Sequence, residues 1–71
     1  MSKVKAILAE VLELPEDQIS ADASLETLSQ WTSLNHLRLI TELESTFGVE
    51  VSMDEALALN SLTKLAEKFA D

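Results

Sequence analysis

The stretch Trp31-Thr-Ser-Leu-Asn-His36 concentrates the side chains most able to do chemistry. Ser33 and His36 stand three apart, so on a helix they occupy neighbouring turns of one face. A hydroxyl beside an imidazole is the beginning of a nucleophile–base pair. The rest of such a site is missing: no third residue is placed to orient His36, and nothing supplies an enclosed oxyanion hole. Phosphate chemistry suits the position better. Thr32 can cap a helix that starts here, its hydroxyl accepting a backbone N–H. Ser33 is then the first helical residue, with its hydroxyl uncommitted and exposed. A phosphodiester there would lie beside free N–H groups and the positive end of the helix dipole. Most serines at helix starts are caps and nothing more, as expected of Ser52 and Ser61. The acidic pairs Glu16-Asp17 and Asp54-Glu55 lack the alternating ligand spacing of a calcium loop, so no structural metal is expected.

The elements that must hold this stretch follow from periodicity. Val4, Ile7, Leu8, Val11 and Leu12 recur at helical spacing, predicting a helix over 3–13 with Ser2 as a possible cap and Pro15 as its stop. Residues 14–31 show no sustained period. Turn formers alternate there with the apolar anchors Ile19, Leu25, Leu28 and Trp31, which predicts a long loop pinned to the core. Trp31 is expected to fix the loop to the head of the next helix. That helix, over 33–47, carries the stripe Leu37, Ile40, Leu43 and Phe47 with Leu39 at its edge, and Gly48 ends it. Leu34 lies outside the stripe and should point to solvent, whereas His36 points along it. Ser52-Met-Asp-Glu55 has capping-box spacing for a short helix over 53–58. Asn60 or Ser61 can cap a last helix with the stripe Leu62, Leu65, Ala66 and Phe69. No strand pattern competes. The expected fold is all-α: a four-helix bundle with three longer helices, one short third helix, and a long loop between the first two.

Size and charge narrow the function. The 71 residues make one domain, 1–71, with little room for a catalytic cleft walled on all sides. The absence of cysteine excludes disulfides and thiolate metal sites. A net charge of −8 argues against nucleic acid, whose backbone is bound by clustered Lys and Arg. Residues 10–26 hold six carboxylates and no basic residue, a solvated face that can also steer basic protein partners. No stretch resembles a signal peptide or a membrane span, so the expectation is a cytoplasmic monomer.

Taken together, these features resemble the acyl and peptidyl carrier protein family. Ser33-Leu34 stands where that family has Asp-Ser-Leu, after a long loop and at the head of the second of four helices. Leu43-Glu-Ser-Thr-Phe-Gly-Val-Glu-Val51 resembles the family's end of that helix. The resemblance implies that the chain is not itself an enzyme. A phosphopantetheinyl transferase would place a 4'-phosphopantetheine arm from coenzyme A on Ser33, and the arm would hold an acyl or aminoacyl group as a thioester. Acyl-loading and acyl-processing enzymes would dock on Leu34, Asn35, Arg38 and Glu42. Thr32, His36, Leu37 and Ile40 would line a pocket for the arm or its cargo. Two departures point to a specialised biosynthetic pathway. Thr32 replaces the family's aspartate, which aids the transferase, and the docking helix sets one arginine against two glutamates rather than being richly acidic. The alternative is an interaction module that keeps the fold and lacks the prosthetic group.

Overall fold

Residues 3–69 are described by a computed structural model in which the expected helices form. Helix α1 (Lys3–Leu12) buries Val4, Leu8, Ala9 and Leu12. Ile7 and Val11, in the adjoining row, are only half-buried. The helix stops one residue earlier than its periodicity predicts. Glu13 adopts a left-handed φ of 58°, and the N–H groups of Glu13 and Leu14 turn back to the carbonyls of Glu10 and Ala9. These paired bonds satisfy carbonyls that the helix end would leave open. Ser2, the suggested cap, lies outside the described residues.

The connection from Leu14 to Thr32 contains a 3₁₀ turn, Glu16–Gln18, immediately after Pro15. Ile19, Ala23 and Trp31 are buried, while Leu25 and Leu28 are half-buried. Backbone bonds add a second tie. Leu62 N–H donates to the Ala23 carbonyl at 2.9 Å and Leu25 N–H to the Asn60 carbonyl at 3.0 Å, flanking an isolated antiparallel bridge between Ser24 and Ser61. The long loop is thereby fixed against the start of the last helix.

Helix α2 (Ser33–Phe47) buries His36, Leu39, Ile40 and Leu43. The predicted stripe is therefore rotated: Leu39 is fully buried, and Leu37, expected inside, is 48% exposed. His36 takes the inward position at the helix head and draws the Leu39 row into the core. Gly48, at φ 65°, ends the helix, with its N–H and that of Val49 bonded to the Glu44 carbonyl. The Glu44 carboxylate accepts from Val51 N–H at 2.8 Å and holds the outgoing chain. Helix α3 (Met53–Ala58) is capped by Ser52, whose hydroxyl accepts from Glu55 N–H. The Glu55 carboxylate, which a capping box would return to Ser52, instead pairs with Lys68 at 3.0 Å. Helix α4 (Leu62–Phe69) is capped by Ser61, which accepts from Lys64 N–H, and buries Leu62, Leu65 and Phe69. Helix α1 packs on both α2 and α4. Phe47 and Phe69 meet at 5.1 Å between ring centroids where α2 and α4 end.

Among the described residues two are left-handed, Glu13 and Gly48, and they give opposite expectations. Glu13→Gly removes a side-chain clash of about 1 kcal/mol, partly offset by the freer unfolded chain, and should raise the thermal midpoint by a few degrees. Gly48→Ala introduces that clash and should lower stability by about 1 kcal/mol in urea titrations.

Candidate functional site

The head of α2 is set by a buried polar contact. Trp31 is 1% exposed and His36 3% exposed, and the indole Nε1–H donates to His36 Nδ1 at 2.9 Å. An indole nitrogen can only donate, so Nδ1 must be the bare nitrogen and Nε2 carries the proton. His36 Nε2–H then donates to the Ala56 carbonyl at 2.7 Å. That carbonyl lies in the last turn of α3, where its one backbone donor is the Leu59 N–H at 3.3 Å. A neutral imidazole thus joins the end of the loop, the first turn of α2 and the last turn of α3. Every buried side-chain nitrogen and oxygen among the described residues has a partner.

Outside this clamp the serine is free. Thr32 is the N-cap, with extended backbone and its Oγ1 accepting from Asn35 N–H at 3.2 Å. Its carbonyl receives His36 N–H at 2.8 Å. Ser33 is the first helical residue and is exposed, and its hydroxyl has no bonding partner among the described residues. The N–H groups of Ser33 and Leu34 precede the first helical bond and remain available to an anion. The dipole adds positive potential at the same place. A phosphodiester fits here without displacing any existing interaction, because the cap is made by Thr32 and not by Ser33.

The other predicted residues separate into distinct settings. Leu34 is 67% exposed, and Arg38 and Glu42 follow it on the same exposed row, one turn apart. Asn35 is half-buried, and its Nδ2 donates to the Gln30 carbonyl at 2.8 Å, so it braces the loop. His36 and Ile40 lie in the core, Thr32 caps at the surface, and Leu37 lines an open groove between α1 and α2. Of these four residues, Leu37 alone lines that groove. Met53 and Leu57 of α3, 63% and 65% exposed, add apolar surface that no functional assignment from sequence included. Their i, i+4 spacing, which sets two large apolar side chains on one row of a short helix, is the signal that could have found them.

Compared with known proteins, residues 2–69 match the family model described as the phosphopantetheine attachment site. An acyl carrier protein of Thermosynechococcus vestitus (strain NIES-2133 / IAM M-273 / BP-1) is 36% identical over 62 residues, which cover 87% of this chain and 76% of that relative.

The clamp makes a measurable demand. His36→Leu keeps the volume apolar but strands the indole N–H and leaves the Ala56 carbonyl only its longer bond from Leu59 N–H, and should cost about 1–3 kcal/mol in urea unfolding. In the double variant with Trp31→Phe the indole N–H is gone as well, so the two losses should fall short of additive.

Proposed function

Because the chain belongs to the phosphopantetheine attachment family of carrier proteins, which bear 4'-phosphopantetheine covalently, we propose that Ser33 Oγ is the attachment atom. The observation that carries this is the division of roles at the head of α2: Thr32 makes the cap, and Ser33 is exposed and unbonded. In the attachment reaction Ser33 Oγ displaces adenosine 3',5'-bisphosphate from coenzyme A. One phosphorus–oxygen bond forms as another breaks, and the hydroxyl proton passes to the transferase. When bound, the group supplies a thiol that holds an acyl or aminoacyl cargo as a thioester. The chain's own part is to hold the phosphodiester against the Ser33 and Leu34 N–H groups and to present a docking face. It performs no bond chemistry on the cargo.

Leu34, Arg38 and Glu42 are the docking residues, with Met53 and Leu57 extending their surface onto α3. The partners are the transferase and the enzymes that load and process the cargo. With one arginine among few charges, this face suits partners that recognise apolar groups rather than an acidic helix. Together with Thr32 in place of aspartate, it supports a dedicated pathway over a general one. The strong negative charge opposes self-association, in keeping with a monomer. The cytoplasm, where coenzyme A is at hand as the arm donor, is the setting we assign.

Incubation with a broad-specificity transferase and coenzyme A should add one phosphopantetheine mass to the intact chain, and Ser33→Ala should abolish it. No increment with several transferases would overturn the assignment. Thr32→Asp should speed the modification and, by placing a carboxylate at the helix dipole, add about 0.3–1 kcal/mol of stability. Leu34→Ala should lower kcat/KM of the loading enzyme while leaving the urea midpoint nearly unchanged.

A further inference from the structure

Helix α2 carries a path leading away from Ser33. Ser33, Leu37 and Thr41 succeed one another at i, i+4 and i+8 and so form one row. Leu37 and Thr41 line the groove between α1 and α2, which holds about 520 Å³ and is open to solvent. The groove therefore begins one helical turn from the attachment hydroxyl and runs in register with it. From Ser33 to Thr41 the helix rises about 12 Å, within reach of an extended pantetheine chain.

The walls have two characters. Ile7 and Val11, the half-buried row of α1, face the groove together with Leu37, and they are among the apolar surfaces the bundle leaves partly uncovered. The rim is charged. Glu10 and Glu13 come from α1 and its end, Glu42 from α2, and among the described lining residues Arg38 is the cation set against these three carboxylates. All four are exposed. An apolar floor suits the methylenes of the arm. An acidic rim favours a cargo bearing an ammonium group, tolerates a neutral one and disfavours a carboxylate.

We propose that this groove is the resting site for the loaded end of the arm, and that it favours aminoacyl cargo over neutral or carboxylate-bearing acyl groups. The inference rests on attachment at Ser33 and adds the place and charge class of the cargo. Because the rim is exposed, its preference is modest and screened by salt.

The test uses the full chain, isotopically labelled and loaded by a transferase with coenzyme A analogues ending in alanyl, butyryl or succinyl groups through a stable amide. Intact mass first reports attachment. Methyl and amide NMR spectra then report where the cargo lies. The alanyl form should shift Ile7, Val11 and Leu37, the butyryl form less, and the succinyl form least. Glu10→Gln, Glu13→Gln and Glu42→Gln combined should bring the alanyl shifts down to the butyryl level, a change in occupancy of up to about fivefold that added salt should reproduce. Leu37→Lys, a change at a half-exposed site that removes apolar floor and adds a charge repelling the ammonium, should remove the groove shifts while leaving the mass increment and the fold intact. Attachment with shifts confined to the neighbours of Ser33, or centred on the buried core residues Leu39, Leu43 and Leu65, would overturn the groove and leave Ser33 standing. Succinyl shifts equal to alanyl shifts would overturn the cargo class. Failure of the mass increment would remove the arm itself, and both assignments with it.

Discussion

A neutral imidazole has one donor and one acceptor, and His36 uses both inside the core. The arrangement admits one order of partners. The indole can only donate and the Ala56 carbonyl can only accept, so tautomer and ring orientation are fixed together. Three segments meet on this ring: the end of the loop at Trp31, the first turn of α2 and, twenty residues further on, the last turn of α3. A long loop could end in many places, and an apolar side chain at position 36 would let the indole slide along it. Hydrogen bonds in a low-dielectric interior are directional and are costly to leave unmade. They fix where the loop ends, and hence where α2 begins and where Ser33 stands.

With attachment at Ser33 as proposed, the same head of α2 separates two tasks that one residue could not perform together. A serine engaged as an N-cap presents its oxygen to the backbone and is poorly placed as a nucleophile. With Thr32 as the cap, the next residue is held at a defined angle by the helix yet has no bonding obligation of its own. Family members with aspartate at the capping position add a charge to this arrangement. Threonine keeps the hydrogen bond and gives up the charge, so the N–H groups beside Ser33 face less competing negative potential from their own cap.

Much of this was legible in the sequence because it depends on local signals. Pro15, Gly48 and the caps at Thr32, Ser52 and Ser61 act within a few residues, and each lies where the structure uses it. The rotation of α2 was less accessible. Leu37 and Leu39 flank the line of Ile40 and Leu43 on its two sides, and periodicity alone weighs the two edges nearly alike. What decides between them is His36, whose value inside depends on a carbonyl twenty residues away. Backbone ties such as Leu62 N–H to Ala23 also carry no side-chain signature. Glu13 in a left-handed turn is a further case, since a charged residue there breaks the usual preference for glycine.

The exposed side of α2 has a consequence for how a carrier of this shape would release its cargo. Arg38 and Glu42 belong both to the docking row that starts at Leu34 and to the rim of the groove. On the assignments proposed above, a partner that covers this row also covers the rim charges and competes for them. Docking and cargo residence are then linked equilibria, and each weakens the other by the same factor. Rim contacts between exposed charges are weak, so the loaded end would be held loosely enough for a docked enzyme to draw it out. A deep apolar cavity would hold the cargo more firmly but would set a barrier to transfer. In a small bundle whose interior is filled by Leu8, Leu39, Leu43 and Leu65, a shallow groove beside the docking row offers shelter without that barrier.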